Sequence, residues 1–450
     1  MFNKKNLIIL SVLSAILFLV SGVSMAAYEP TSEYEGTTIS YYSFPHGTGY
    51  SQALNNLLDE FKEQTGITVE PTILSWGEGN RVIISSIVAG NAPDVMYTTP
   101  SRALPIIEFG NKVIEPLDQY IEEDNLSDKV VYQEAVKNYK WGGTTYAVGH
   151  YGDPHTLAAN LDVLRNAGVD DEYIEKMTDP DKVWTWEDLE YMLEKTTRDT
   201  NGDGKIDQWG LAYPGGVNNA SPFLHWYWNT GGLVIDTEGN IGIGGEETKM
   251  VFEFFERINE KGYIIDGATN MSTSDNDNAF LDNKAAFINL YPAEAYIARS
   301  EQGEDLPEIA AIYPPEAPNG ERGLFFAWNG VMMSASSDNK GAAWELIKFM
   351  ATSDEYKGMM AKRSGRLTPV TTKEDIEELI QEEYREPLKV GLDVSAKGWF
   401  TRHEPAHPAS SRIVRGYNSA MQNILSGQMS AEEATQWIKE EAEAAKEEAE

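Results

Sequence analysis

From Thr37 the chain alternates apolar runs of two periodicities, and that alternation narrows its fold more than any other feature. TTISYYSF is β-branched and aromatic, the composition of a strand. SQALNNLLDEFKEQTG follows, with Leu54, Leu57, Leu58 and Phe61 at i, i+3, i+4 and i+7 on one helical face. Gly66 is placed to cap its end. ITVEPTIL reads as a second strand, NRVIISSIVAG as a second helix stopped by Gly90, and PDVMYTT as a third strand. Strand–helix–strand–helix–strand predicts a parallel sheet covered by helices, an α/β class. Further on, TWEDLEYMLEKTTRD predicts another helix, capped by Thr185 with Asp188 three residues later.

The length of 450 residues is too great for one small domain and suits two compact lobes. The first residues stand apart from the pattern. MFNKK is a basic segment, LIILSVLSAILFLV is apolar, and Ser24-Met25-Ala26 ends the run with small residues. The apolar run is short for a membrane span and no stop-transfer flank follows. A signal peptide over 1–26 is expected, cleaved before Ala27, and with it a periplasmic or extracellular location. The chain has no cysteine, which removes a lipid-anchored cleavage site and a disulfide scaffold. The formal charge is −35, a surface that repels nucleic acid and anionic lipid.

DTNGDGKIDQWG, residues 199–210, has the spacing of a calcium loop. Oxygen ligands recur at Asp199, Asn201 and Asp203, Gly204 stands at the sharp turn, and Asp207 takes the ninth position. Lys205 would add a backbone carbonyl. Gly210 stands at the twelfth position, where a sensor loop needs a bidentate Glu, and WGLAYPGG after it reads as a strand. The loop is therefore not a helix–loop–helix sensor. Two readings stay open: a structural calcium, or a network of Asx turns that holds itself together without metal.

Six segments, taken in order, resemble the extracellular solute-binding proteins of ABC importers. The resemblance is to the carbohydrate-binding family that includes maltose-binding protein. ITVEPTILSWGEGNRVIISSIVAGNAPDVMYTT is similar to its strand, helix, A-G-x-x-P-D-V and strand. LAANLDVLRNAGVDD, VWTWEDLEYML, FLDNKAAFINLYP, GLFFAWNGVMMSASSDNKGAAWELIKFMATSDEYKGMMAKRSGRLTPV and SGQMSAEEATQWIKE follow in the family's order. LAANLD lacks the family's paired tyrosines, and AVGHYGDPHTLAAN carries two histidines, so ligand identity does not carry over.

The resemblance implies a two-lobe periplasmic-binding-protein fold of type II. Each lobe would be a parallel-rich sheet flanked by helices, with ligand in the cleft between them. Chain crossings are expected near Val148 to Pro154, Ile312 to Pro315 and Thr352 to Tyr356. Lobe 1 would then hold 27–148 and 315–352, and lobe 2 would hold 149–314 and 353–450. The implied function is capture of a sugar or oligosaccharide by a monomer and its delivery to a membrane permease, without catalysis.

A sugar offers flat C–H faces and a ring of hydroxyls, so it calls for aromatic plates and polar side chains. Strand ends in such folds face the ligand, which selects Phe44, His46, Trp76, Thr98 and Trp328. Trp226 in SPFLHWYWNTGG and Trp399 in KGWFTRHEPAH lie in stretches without periodicity. Tyr291 follows the strand KAAFINL, where family members often place a stacking aromatic. His150, Asp153, Glu294 and Arg402 lie near predicted strand ends or crossings. Each of these residues also fits ordinary packing or a structural hydrogen bond. Two other functions compete: a secreted glycosidase using paired carboxylates, and a calcium-dependent carbohydrate-binding surface protein. No carboxylate pair stands at an interpretable spacing, and no repeat or anchor signal supports an adhesion module.

Overall fold

In the computed structural model, the described residues are 28–449 apart from 47–48, 76–77, 100–101, 103–112, 217–220, 237, 398 and 403–406. The expected signal segment and Trp76 lie outside the described residues. The first sheet begins as the sequence pattern requires. β1 (Thr38–Ser43) lies parallel to both β2 (Thr68–Ile73) and β3 (Val95–Thr98). The helix Tyr50–Thr65 joins the first two strands and buries Leu54, Leu57, Leu58 and Phe61. It ends where Gly66 enters the left-handed region at φ 74° and donates its N–H to the Lys62 carbonyl.

A small hairpin, β4 (Lys140–Trp141) and β5 (Thr144–Thr145), precedes the strand that leaves this sheet. β6 (Val148–His155) runs out of the first lobe, and β7 (Leu157–Asn160) continues into the second. There β7 lies between β10 (Ile309–Ile312) and β9 (Ala285–Ile288), antiparallel to both, with β8 (Trp209–Ala212) parallel to β9 at the edge. The return is β11 (Gly323–Met333), antiparallel along β6 and then along β3. β12 (Phe400–Arg402) pairs with the start of β11. β6 and β11 thus form one two-stranded ribbon between the lobes, with a register shift at Asn329/Gly330. Both sheets are mixed, because the strands arriving from the other lobe enter reversed.

The larger hydrophobic clusters among the described residues follow this division. The first lobe packs Tyr41, Phe61, Met96, Val331 and Phe349. The second packs Trp186, Phe252, Phe255, Ile413 and Ile438. A third, with Tyr313, Phe326, Trp328, Leu367 and Leu388, covers the ribbon. The expected crossing at Thr352 to Tyr356 is displaced. The helix Asp354–Ser364 stays on the first lobe, where Tyr356 and Met360 enter its core. The chain then passes over the ribbon in the helix Glu382–Ala396 and reaches the second core with Ser410–Leu425. Apolar burial decides this: Tyr356 and Met360 are one turn apart and both face the first lobe. Among the described residues no helix is long and apolar enough to cross a membrane.

Candidate functional site

The residues singled out by sequence fall into three environments. The first is a cluster under the strand ends of lobe 1. β1 carries Phe44 and His46 just past its last residue, β3 ends on Thr98, and β6 supplies His150 and Tyr151. Phe44 lies 4.6 Å from the Tyr97 ring. His46 meets Tyr50 and Tyr151 edge-on, each at 4.6 Å. The Tyr97 hydroxyl donates to Asn329 Oδ1 and lies 3.5 Å from that of Tyr151. His150 Nδ1 bonds the Tyr356 hydroxyl at 2.6 Å. Thr98 Oγ1 turns back to the Thr99 carbonyl at 3.2 Å. Phe44, His46, Thr98 and His150 are all buried. They meet as predicted at one end of the sheet, and they form a floor rather than an open wall.

Burial sets the charge of that floor. It holds His46 well below the usual imidazole range, with Arg366 and then His150 adding to the effect. It pushes His150 down to about 3, with Arg366 second. Both rings are neutral at neutral pH, so they act as hydrogen-bond partners rather than cations.

The second environment is structural. Trp328 is 3 % exposed and stacks on Phe326 at 5.6 Å, with Tyr132 at 5.5 Å. Both rings cover Gly152 of β6, where an added Cβ would come within 2.7 Å of Phe326 and 2.9 Å of Trp328. Trp328 therefore seals the ribbon between the lobes instead of ending a strand. Trp226 is 1 % exposed, packed by Trp186, Phe254 and Phe255, with its indole N–H on Asn289 Oδ1 at 3.2 Å. Its segment is a helix, Ser221–Asn229, in which every residue after Ser221 is buried. A helix buried on all sides has no polar face, so its period is invisible in the sequence.

The third environment faces between the lobes. Glu294 opens the helix Ala293–Glu301 of the second lobe and accepts a hydrogen bond from Arg366 Nη1 at 2.8 Å. Tyr291 packs partly buried beside it, with its N–H on the Thr156 carbonyl at 2.9 Å. Asp277, on the helix Thr273–Leu281, lies close enough to Glu294 to feel its charge. Burial first, and Glu294 second, push the Asp277 carboxyl up to about 7. Trp399 is half-buried, with the Arg322 guanidinium 3.7 Å above its ring. That guanidinium donates twice to the Pro314 carbonyl, at 3.0 and 2.9 Å. Asp153 and Arg402 are placed by backbone pairing alone, opposite Ala327 and Phe325 of β11. Arg366 and Asp277 escaped the sequence reading. SGRLTPV carried the first in plain view, but nothing in the stretch marks an arginine that will turn toward the other lobe.

The loop at Asp199 closes on itself. Asp199 accepts the N–H groups of Asn201, Gly202 and Gly204, which holds its carboxyl below the usual range. Asp207 accepts from Thr200 and from Asn201 Nδ2. Asn201 and Asp203 accept the N–H groups of Asp203 and Lys205. Among the described residues no three His, Cys, Asp or Glu side chains converge as a metal site. The side chains make the bonds of an Asx-turn network, and Gly210 supplies no closing carboxylate.

This architecture has close counterparts among solved structures. An ABC substrate-binding protein from Listeria monocytogenes, solved in complex with cycloalternan, is 21 % identical with a TM-score of 0.72, over 92 % of this chain and 98 % of that one. The GacH receptor of Streptomyces glaucescens, solved unliganded and with acarbose, is 19 % identical with a TM-score of 0.74, over 92 % and 99 %. Maltose-bound MalE3 of T. maritima is 21 % identical with a TM-score of 0.70, over 91 % and 99 %. At these identities the likeness establishes the two-lobe fold. The sequence signature of the bacterial extracellular solute-binding proteins matches residues 56–384. That span runs from the first helix of lobe 1, through both ribbon strands and the whole second sheet, to the helix over the hinge, and it makes this chain a member of that family.

Proposed function

We propose that this protein is the substrate-binding component of an ABC importer. It captures a sugar or oligosaccharide between its lobes and delivers it to a membrane permease as an exported monomer. The observation that carries this reading is the β6–β11 ribbon, which leaves two separately packed lobes joined by few strands. Such a joint lets a ligand that touches both lobes favour the closed state over the open one. Lobe 1 lays a buried floor of aromatic rings and neutral imidazoles beneath its strand ends, and lobe 2 brings Tyr291, Glu294 and Asp277 to the facing side. That mixture suits a neutral, hydroxyl-rich ligand. The three solved relatives carry cycloalternan, acarbose and maltose, which supports a carbohydrate over other solutes.

The test is a thermal-shift screen against mono- and oligosaccharides, followed by scattering with any sugar that binds. A sugar present at 100 times its Kd stabilises the folded state by about 2.7 kcal/mol. The expected result is a raised melting temperature, a smaller radius of gyration and no sugar consumed. Turnover of the sugar would favour an enzyme. Tight binding with an unchanged radius would remove the capture mechanism.

A further inference from the structure

Arg366 is carried on the hinge itself. Gly365 before it stands at φ +59°, and an added Cβ there would lie 2.2 Å from the Tyr384 ring, so the turn admits only glycine. Leu367 after it exchanges both backbone hydrogen bonds with Gly152 of β6, at 2.7 and 3.0 Å. The Arg366 guanidinium rides 5.2 Å from the centroid of Tyr151 on the same strand. From there it reaches Glu294 of the second lobe at 2.8 Å. The helix that bears Glu294 packs into that lobe through Ala295 and Tyr296, against Ala158, Phe280 and Ile288, and onto the cluster over the ribbon through Ala293 and Ile297. One charge-assisted bond thus spans the two lobes beside the ribbon that joins them.

We propose that Arg366 is a positioning residue that latches the lobes. Its bond to Glu294 is made on closure and broken on opening, so it sets how much of the empty protein is closed. The proposal rests on the hinge-closure reading above. Among the described residues Arg366 is the cation paired with Glu294, and Asp277 beside it makes no ion pair. Arg366 is therefore the group that offsets the carboxylate charge on this wall. The pair is partly exposed, with 17 % of the Arg366 side chain and 41 % of that of Glu294 accessible. Its effect on the closed population is accordingly modest, about fivefold.

Small-angle scattering on the empty full-length mature protein tests this without any sugar. Glu294→Gln and Arg366→Gln are each expected to enlarge the radius of gyration at low salt. The double variant is expected to add nothing to Arg366→Gln alone, because the bond to Glu294 is already broken there. High salt should move the native protein toward the variants. The exchanged pair, Glu294→Arg with Arg366→Glu, should recover part of the compaction, which a purely structural role would not give. Should Arg366→Gln fail to fold, Glu294→Gln, altered at an exposed side chain, carries the test alone. A radius unchanged by Glu294→Gln in a folded protein overturns the latch. The sugar reading fails separately, by a panel in which no sugar raises the melting temperature.

Discussion

The first lobe gathers a histidine–tyrosine network beneath its strand ends, whereas the second fills its interior mainly with aromatic rings, among which His225, Asn229 and Asn289 are buried, and keeps Asp277 and Glu294 on its walls. His46, His150, Tyr97, Tyr151 and Tyr356 bond or stack with one another in lobe 1, and burial keeps both imidazoles neutral. In lobe 2 the indoles of Trp186 and Trp226 meet at 5.9 Å, against Phe254 and Phe255. Asp277 and Glu294 sit outside that core. The two halves are therefore rigid for different reasons. A hydrogen-bonded floor resists change because each broken bond strands a buried polar atom. An aromatic core resists it because each lost ring leaves a void. Beside the ribbon the contrast becomes one of sign, with Arg366 on the hinge bonded to Glu294 of the second lobe.

The largest expected effect tests the aromatic half. Trp226→Ala should cost about 3–5 kcal/mol, through lost contacts and the cavity left behind. Calorimetry should then show the second lobe melting ahead of the first. A single undivided transition, shifted as a whole, would mean that the third cluster over the ribbon couples the lobes into one unit. Next is the polar half. Tyr356→Phe removes the hydroxyl on His150 Nδ1, and among the described residues Nε2 of that ring has no partner. The cost should be about 1–3 kcal/mol, read from the midpoint of denaturant unfolding. A neutral outcome would show that packing, not hydrogen bonding, holds this floor.

Much of this organisation was legible from sequence where periodicity is plain. The parallel β2–β1–β3 unit and the Thr185 capping box follow from alternating strands and striped helices, whereas a crossing on β6 was expected only from the family resemblance. The site was less legible. Phe44, His46, Thr98 and His150 were found because they end strands, yet sequence does not separate a floor from an open face. Trp226 and Trp328 were drawn to the cleft because their neighbours look loop-like; one sits in a helix buried on every side, the other on a ribbon strand. The displaced third crossing turned on Tyr356 and Met360, and the His150 partner of Tyr356 lies 206 residues away. Arg366 and Asp277 gained their meaning from contact between lobes, which no local pattern encodes.

The charged wall gives the third effect, one of pH. The Asp277 carboxyl titrates near 7 in the folded protein and at an ordinary 3.8 when free. Glu294 faces it from the next helix, and Arg366 stands beyond Glu294. On its own helix, Asp275 is tied to Ser272 and Asp282 to Arg299. Between the two values the folded state holds a proton that the unfolded state lacks. The resulting stability is complete below the unfolded value and is lost as pH rises through about 7. Asp277→Asn should therefore raise the melting temperature at pH 8 and leave it nearly unchanged at pH 4. An equal shift at both would assign the effect to shape rather than to charge.

The smallest effect belongs to the exposed loop of the second lobe, which is polar where that lobe's core is aromatic. Asp199 collects three backbone N–H groups, and those bonds hold its carboxyl below the ordinary range. A depressed value contributes stability above the unfolded value of about 3.9, and the contribution is lost as pH falls through the folded one. Asp199→Ala should therefore lower the melting temperature slightly at pH 7 and not at strongly acid pH. Because Asp207, Asn201 and Asp203 are likewise occupied by loop donors, we expect the native melting curve to be the same in calcium as in chelator. A rise in calcium that Asp203→Ala abolishes would instead put an ion at the centre of the loop. The lobe would then owe part of its order to a metal rather than to packing and Asx turns alone.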